Sequence, residues 1–114
     1  MNIISWNCRG LGNPRTVNEL YRLVKAKKTS LVFLMETKLR KEKLERVRVK
    51  LGFPNMFEVD SVGKSGGLAL FWNKEEKVEI QNFSRRHINA SVIYGRSGNP
   101  WKFTSFYGHP NPSK

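Results

Sequence analysis

The sequence predicts a single α/β domain whose chain starts with a strand–helix–strand unit. Its 114 residues are enough for one domain, and two short apolar runs flank an amphipathic segment near the N-terminus. The second half consists of short apolar runs separated by polar breaks. We therefore expect one α/β layer with two helices and a mixed sheet of six or seven strands.

The first strand is predicted over residues 3–8, and the second is the unbroken apolar run Leu31–Met35. Such a run is typical of a strand that is buried on both faces. The helix predicted between them begins either at a capping box formed by Thr16 and Glu19 or with Pro14 in its first turn. The apolar residues at helical spacing in this segment are Val17, Leu20, Tyr21 and Val24.

A second helix is predicted over residues 40–51, with Leu44, Val47 and Leu51 on one face and Gly52 as its C-terminal cap. The later apolar runs are typical of antiparallel strands joined by turns. These strands are predicted over residues 57–60, 68–72, 78–81, 88–94 and 101–107.

The charge balance restricts the class of partner. Lys and Arg total 21 against 9 Asp and Glu, so the formal net charge is +12. This excess excludes a cationic partner and favours a polyanion, with nucleic acid first and an anionic membrane surface second. A basic surface that is merely solvated stays open as the alternative.

Cys8 is the only cysteine, so the chain cannot form an internal disulfide or a thiolate metal site. No apolar run approaches the roughly 18 residues of a membrane span, and the N-terminus lacks the pattern of a signal peptide. We therefore expect an intracellular protein, nuclear or cytoplasmic, that is neither secreted nor inserted in a membrane.

Two polar residues follow the predicted parallel strands where each strand ends. Asn7 ends the first strand and Glu36 comes directly after the second. A right-handed crossover sets these ends side by side, at the sheet edge where ligands bind in open α/β folds. A carboxylate and a carboxamide can ligate Mg2+, which keeps waters and substrate oxygens as further ligands. The alternative is that Glu36 only caps the strand and forms a salt bridge with Lys38 or Arg40.

Four short motifs occur along the chain: Ser5-Trp6-Asn7-Cys8-Arg9-Gly10, Met35-Glu36-Thr37-Lys38, Ser65-Gly66-Gly67-Leu68-Ala69-Leu70 and Phe106-Tyr107-Gly108-His109-Pro110. In their order and spacing they resemble the endonuclease/exonuclease/phosphatase superfamily. Within it the whole chain resembles the apurinic-endonuclease-like domain of plant non-LTR (LINE-type) retrotransposons. The resemblance implies two α/β layers packed sheet against sheet, so that this chain forms the front half of a four-layer α/β/β/α sandwich.

The resemblance also implies roles for three residues in the hydrolysis of DNA. Glu36 would hold the divalent metal, Mg2+ or Mn2+, and Asn7 would bind the scissile phosphate, orient the attacking water and contribute to the metal site. Tyr107 would lie beside the phosphate. A metal on a phosphate oxygen and neutral donors around it stabilise the charge that develops in the transition state.

The sequence departs from this family in two respects. Arg9 stands where apurinic endonucleases often carry an acidic residue, which weakens the expected metal site. The 114 residues contain neither the Gly-Asp-Phe-Asn motif nor the terminal Ser-Asp-His motif, and Asp60 is the only aspartate. We therefore expect residues 1–114 to form a truncated domain that is inactive alone. Its helix-free sheet face would be exposed and would drive self-association.

For other conspicuous residues a structural role is the better interpretation. Gly66 and Gly67 are interpreted as a tight turn into a buried strand, and His87 and His109 as surface or loop-packing residues. The basic stretch 38–50 is interpreted as the solvated face of the second helix, with a phosphate-contacting stripe as the alternative. Core packing, rather than base stacking, is the interpretation for Trp6, Trp72, Trp101, Phe71, Phe103 and Phe106.

These observations favour a fragment of a Mg2+-dependent DNA endonuclease of retrotransposon origin. The main alternative is a non-catalytic basic module that binds nucleic acid. A third hypothesis is a phosphatase or phosphoinositide hydrolase of the same superfamily. A metal titration separates the first two hypotheses, because only the first requires a cation near Glu36.

Overall fold

The computed structural model describes residues 3–60, 66–94 and 101–106, with side chains described as far as Ile93. In this part of the chain the elements are β1 (Ile3–Asn7), α1 (Pro14–Lys27), β2 (Leu31–Met35), α2 (Lys41–Leu51), β3 (Asn55–Val59), β4 (Leu68–Trp72), β5 (Glu76–Phe83), β6 (His87–Tyr94) and β7 (Trp101–Phe106). The predicted α/β class, its strand–helix–strand start and its two helices are confirmed. The predicted strand boundaries agree with the observed ones to within two residues.

Both helices bury the apolar residues that the spacing predicted, apart from Tyr21, which is 37% exposed. Helix α1 starts at Pro14, with the Asn13 side chain accepting a hydrogen bond from the Arg15 backbone N–H at 2.9 Å. The start at Pro14 is therefore the correct alternative. Helix α2 ends at Gly52, whose φ of 86° is the left-handed conformation expected of a C-terminal cap. Neither helix in the described ranges has the length and apolar content needed to cross a membrane.

The strands form two sheets, which corrects the prediction of one mixed sheet. The first sheet has the order β1-β2-β4-β3, with β1 and β2 parallel and the other pairs antiparallel. The second sheet is antiparallel, with the order β5-β6-β7. Strand β4 already pairs with β2 on one edge and β3 on the other, so β5 has no free edge of β4 to join. It therefore starts a new sheet, which no local sequence pattern reveals.

The second sheet covers the helix-free face of the first at β2, β4 and part of β3, and leaves that side of the edge strand β1 exposed. Residues on alternating sides of β2 enter two different cores: Val32 and Leu34 pack toward the helices, whereas Leu31 and Phe33 pack toward the second sheet. The residues buried from β4 and β6 in this second core are Leu68, Leu70, Ile88, Ala90 and Val92. The predicted burial of β2 on both faces is confirmed. The expected exposure of the helix-free face is therefore wrong for β2 and β4, whose apolar residues the second sheet covers, and self-association through the face stays a prediction.

A β-bulge in β5 controls which side chains reach this second core. The register against β6 shifts between Ile80 and Asn82, so two residues of β5 occupy the space of one. After the bulge, Phe83 packs edge-on against Phe57 of β3, with 5.1 Å between ring centroids. Asn82 instead accepts hydrogen bonds from His87 and Asn89 at 2.8 and 2.9 Å. The bulge thus supplies one more aromatic contact between the sheets.

Candidate active site

The parallel pairing of β1 and β2 brings Asn7 and Glu36 to the same sheet edge. Asn7 is the register partner of Met35, and Glu36 is the next residue in the chain. The pairing continues beyond the strands, because the backbone N–H groups of Cys8 and Gly10 donate to the carbonyls of Met35 and Glu36 at 2.8 and 2.7 Å. The predicted meeting of the two strand ends is therefore confirmed.

Three non-glycine residues in these two loops adopt left-handed backbone conformations. The φ angles are 51° at Arg9, 53° at Glu36 and 56° at Lys38. Such conformations each cost of order 1 kcal/mol or more in a non-glycine residue and persist only where the surroundings impose them. In the loop after β2 the Gly67 and Gly66 carbonyls accept from the N–H groups of Thr37 and Lys38 at 3.1 and 2.9 Å, and in the loop after β1 the Asn7 Oδ1 accepts from the Arg9 N–H at 3.0 Å.

Gly66 and Gly67 therefore have the structural role expected for them. Both have positive φ, at 77° and 94°, and they lead directly into the buried strand β4. Their carbonyls hold the loop that carries Glu36, as described above. Gly66 and Gly67 thus contribute backbone hydrogen bonds to the candidate site and no side chains.

Asn7 is exposed, and its carboxamide is oriented by its own loop. Its Oδ1 accepts a hydrogen bond from the Arg9 backbone N–H at 3.0 Å. This bond uses one lone pair of the oxygen, so a second lone pair is left to ligate a cation. The NH2 end of the carboxamide is the end that can donate to an anion such as a phosphate oxygen.

Glu36 is half-buried beside the Cys8 thiol. The pKa of Cys8 is raised to about 12, mainly because the thiol is buried and further because of the nearby Glu36 carboxylate, whereas a backbone hydrogen bond at Met35 lowers it. Cys8 is therefore a neutral, buried thiol at physiological pH and offers no thiolate to a metal.

The donor set at this edge fits a metal that keeps most of its water. In residues 3–60, 66–94 and 101–106 no group of three or more His, Cys, Asp or Glu side chains is arranged to hold a metal. One carboxylate from Glu36 and one carboxamide oxygen from Asn7 suit Mg2+, which commonly binds proteins through one or two carboxylates and otherwise through water and phosphate. They do not suit a cation that needs a full cage of protein ligands.

The surroundings of this pair are cationic. Arg9, Lys38, Arg40 and Lys41 all carry exposed side chains in the loops after β1 and β2 or at the start of α2. Exposed positive charges in the same loops as the Glu36 carboxylate, from Arg9 and Lys38 in particular, oppose the binding of a free cation but attract phosphate groups. The site is therefore better suited to a phosphate that arrives with its own metal than to a metal alone.

The other predicted site residue, Tyr107, lies outside the described residues, as does His109. His87 is half-buried at the tip of the β5–β6 hairpin, where its ring nitrogens contact Ser84 Oγ and Asn82 Oδ1 at 2.6 and 2.8 Å. This loop-packing role is the one expected for His87.

Thr37 supports the candidate site but received no role from the sequence. Its side chain is fully buried, and its Oγ1 accepts a hydrogen bond from the Leu39 backbone N–H at 3.5 Å. The sequence does contain a feature that indicates this role, a threonine directly after the glutamate at the strand end. Threonine hydroxyls often accept a backbone hydrogen bond and so fix the turn that follows them. Thr37 thus helps to set the direction in which the loop carries Lys38 and Arg40.

Comparisons with known proteins agree with this geometry. The chain matches the model of the Endonuclease/Exonuclease/phosphatase family over residues 4–113. No curated protein sequence matches it significantly. Among solved structures, an AP endonuclease from Leishmania major is 15% identical with a TM-score of 0.66, covering 92% of this chain and 39% of its own.

Two further structures have the same fold. A complex of D. rerio TDP2 with a single-stranded DNA product is 22% identical with a TM-score of 0.66, over 98% of this chain and 48% of that one. The catalytic domain of Xenopus laevis APE2 is 15% identical with a TM-score of 0.61, over 100% of this chain and 47% of that one. The chain thus spans less than half the length of these three structures. Because the family model covers nearly all of it, the chain belongs to the endonuclease/exonuclease/phosphatase family.

Proposed function

We propose that the chain forms the phosphate- and metal-binding half of a Mg2+-dependent DNA endonuclease domain of retrotransposon origin. The observation that carries this proposal is the meeting of Asn7 and Glu36 at one sheet edge, surrounded by exposed cations, in a member of this family. DNA as the substrate is supported by the net charge of +12 and by the DNA product bound to the D. rerio relative. A nuclear or cytoplasmic location follows from such a substrate.

Each residue has a separate task in this proposal. The side chains of Arg9 and Lys38 attract the phosphate backbone, and the Asn7 NH2 group donates a hydrogen bond to a non-bridging oxygen of the scissile phosphate. Glu36 and the Asn7 carbonyl oxygen would hold the divalent metal. When bound, that metal supplies Lewis-acid stabilisation of the developing negative charge. Tyr107 is proposed as a further hydrogen-bond donor to the phosphate.

We further propose that these 114 residues alone do not hydrolyse DNA. The family's general-base aspartate and its terminal histidine have no counterpart among their motifs. Proton-transfer groups of this kind each contribute roughly 10²- to 10⁴-fold to the rate. Substrate binding without turnover is therefore the expected behaviour of the isolated chain.

The experiment is a nicking assay on supercoiled and abasic plasmid DNA in Mg2+. We expect no nicking by the 114-residue chain, and Mg2+-dependent nicking when it is co-expressed with the carboxyl half of a relative's domain. Glu36→Gln in the reconstituted protein should abolish that nicking, whereas the exposed control Glu42→Gln should not. Nicking by the isolated chain that disappears in Glu36→Ala would refute the proposed inactivity.

A non-catalytic nucleic-acid-binding module is the second candidate, and the exposed cations of α2 favour it. Lys41, Lys43, Arg46 and Lys50 are all exposed on this helix. Binding of this kind is driven by phosphate contacts, so the logarithm of the affinity should fall linearly with the logarithm of the salt concentration. One measurement separates the two candidates, the effect of Mg2+ on the affinity for a short DNA duplex. If the endonuclease proposal is correct, Mg2+ should raise the affinity of the wild type and leave that of Glu36→Gln unchanged. A non-catalytic binding module should show no such difference between the two proteins.

The retrotransposon origin has its own test. We expect the genomic DNA beside the coding sequence to encode a reverse transcriptase in the same orientation. A neighbourhood without any element-derived sequence would contradict the origin and leave the biochemical proposal intact.

A further inference from the structure

The two helices and the turns around them carry most of the positive charge of the chain. Residues 14–51, which include α1 and α2, contain 12 Lys and Arg against 4 Glu, so they hold +8 of the net charge of +12. The helices run side by side in the same direction, because each follows one of the parallel strands β1 and β2. Their C-terminal ends are adjacent, since a Cβ at Gly52 would lie 4.0 Å from Lys25 Nζ.

On α1, the flank that bears Tyr21 and Lys25 faces α2. Leu23 and Lys27 lie on the opposite flank, because they line a cavity together with residues 3–5 of the edge strand β1. Tyr21 and Lys25 are each two residues from one of these, and hence about 200° around the helix axis. Lys25 is exposed, and Tyr21 is 37% exposed. This flank therefore presents a cation and an aromatic ring to α2.

On α2, the flank that faces α1 presents cations. The other flank lies toward β3, because the charges of Lys41 and Glu45 act on the Glu58 carboxyl of that strand. Arg48 lies on the β3 flank as well and forms an ion pair with Glu45 at 2.7 Å. The exposed residues two positions from Lys41 or Arg48, about 200° around the axis, are Lys43, Arg46 and Lys50. Three cations of α2 thus lie on the side of Lys25.

The space between these two flanks is a cationic groove, named here the interhelical groove. Its walls are formed by Tyr21, Lys25, Lys43, Arg46 and Lys50. None of the three glutamates of α1 and α2 lies in it, because the helical spacing places Glu19 and Glu42 on the outer surface and Glu45 on the flank toward β3. Like charges repel one another across such a groove, and a bound polyanion removes this repulsion. The groove is therefore suited to a chain of phosphates.

The width of the groove and the Tyr21 ring favour single-stranded DNA over duplex DNA. Packed helices lie about 8–10 Å apart, whereas the major groove of a double helix is alone about 12 Å wide, so a duplex is too broad to enter. One face of the Tyr21 ring is open to the groove, since Lys25 Nζ lies 5.5 Å from the ring centroid. Aromatic faces in cationic grooves stack the bases of single strands.

We propose that the interhelical groove binds a stretch of single-stranded DNA, with the phosphates along its four cations and one base on the ring of Tyr21. The choice of DNA rests on the proposed function. The groove itself lies on the outer side of the helices, whereas Asn7 and Glu36 lie at the sheet edge. The chain therefore holds DNA at two places that can be tested separately.

The test is fluorescence anisotropy of the whole chain with a labelled oligothymidine of about 15 residues and, separately, with a duplex of the same length, both in EDTA. Without metal the outcome does not depend on the metal site at Glu36, so failure of one proposal leaves the other intact. The oligothymidine should bind more tightly than the duplex. The double variant Lys43→Gln/Lys50→Gln should weaken its binding about 10-fold and reduce the slope against the logarithm of salt by about 1.4, or about 0.7 per lost phosphate contact.

Matched variants keep the proposal falsifiable. Lys74→Gln/Lys77→Gln removes the same charge from exposed positions outside the helices and should change the affinity by less than about 2-fold. Tyr21→Leu should weaken binding of the oligothymidine about 5- to 50-fold and leave duplex binding unchanged, whereas Tyr21→Phe should retain the affinity. Equal losses in the two double variants, or tighter binding of the duplex, would overturn the proposal. Loss of binding to phosphatidylserine vesicles without loss of oligothymidine binding in Lys43→Gln/Lys50→Gln would assign the groove to an anionic membrane and also overturn it.

Discussion

At the scale of single residues, burial of the Glu76 carboxylate destabilises the folded state when the group is ionised. Its pKa is raised, so the folded state favours the protonated carboxyl more than the unfolded chain does. The stability that this group contributes is fully present below the unfolded pKa, near 4.5, and is lost as the pH rises through the folded pKa. At neutral pH the ionised form is therefore a source of instability.

Glu76→Gln should stabilise the protein at pH 8 and have little effect at pH 4. The amide stays neutral at every pH, so we expect a gain of roughly 1–2 kcal/mol at pH 8, because burial no longer has to desolvate a charged carboxylate. Chemical denaturation at the two pH values measures this gain. Glu79→Gln, on the exposed side of the same strand, is the control and should change the stability by less than about 0.5 kcal/mol at both pH values. Equal stabilisation by both variants would show that burial of Glu76 is not the cause.

The contrast between Glu36 and Glu76 shows which residues a sequence can place. The position of Glu36 is predictable because it directly follows the apolar strand Leu31–Met35, and strand ends can be recognised from local sequence patterns. Glu76 follows a turn and precedes an alternating strand, a pattern that is equally typical of an exposed residue. Its burial depends on the second sheet packing against the first, which is a long-range event. Tyr107 stays a prediction, because it lies outside the described residues.

At the scale of elements, the two helices end in the same backbone conformation with different residues. Gly52 ends α2 at φ 86°, and Lys28 ends α1 at φ 50°. Glycine adopts this conformation without steric cost, whereas a lysine adopts it only at a steric cost from its Cβ atom. The helix boundaries were predictable because such caps and apolar spacing are local properties. The division of the strands into two sheets was not, because it depends on β4 using both of its edges.

Exchanging the cap residues should change stability in opposite directions. Gly52→Ala should destabilise the protein by about 1–2 kcal/mol, because a side chain disfavours left-handed backbone. A Cβ at this position meets only Lys25 Nζ at 4.0 Å, so crowding adds nothing. Lys28→Gly should stabilise by up to about 1 kcal/mol for the converse reason. Thermal unfolding of both variants is the measurement, and a loss of stability in Lys28→Gly would contradict this account of the α1 cap.

At the scale of the whole molecule, the second sheet turns the helix-free face of the first into an internal core. Leu68 and Leu70 of β4, which an uncovered helix-free face would leave in solvent, are fully buried. A chain with less than half the length of its structural relatives can therefore bury both faces of the central strands β2 and β4, although β1 at the edge keeps Ile3 and Ser5 exposed. The sequence pattern places the later strands in the same sheet as the earlier ones, whereas β5, β6 and β7 form a second sheet that packs on the first.

A conservative pair of substitutions on β6 tests whether the two sheets are packed in solution. Ile88→Val should cost about 0.5–1.5 kcal/mol, because Ile88 is fully buried between the sheets. Ile93→Val, at a half-buried position of the same strand, should cost less than about 0.5 kcal/mol. Denaturant unfolding gives both values. Small and equal effects, together with binding of a hydrophobic dye by the wild type, would mean that the second sheet does not cover the first.

The short turn between β5 and β6 also has a consequence for the order in which the molecule folds. Ser84 and His87 close this hairpin with a 3.0 Å backbone hydrogen bond, whereas β1 must wait for a whole helical crossover before Ile3 can meet Leu31. Hairpins form in about 1–10 µs, and non-local parallel pairing is slower.

Pulse-labelled hydrogen exchange should therefore protect the β5–β6 amides before those of β1. The loops that carry Asn7 and Glu36 would then assemble after the rate-limiting step. Substitutions in these loops should accelerate unfolding while leaving the rate of folding nearly unchanged.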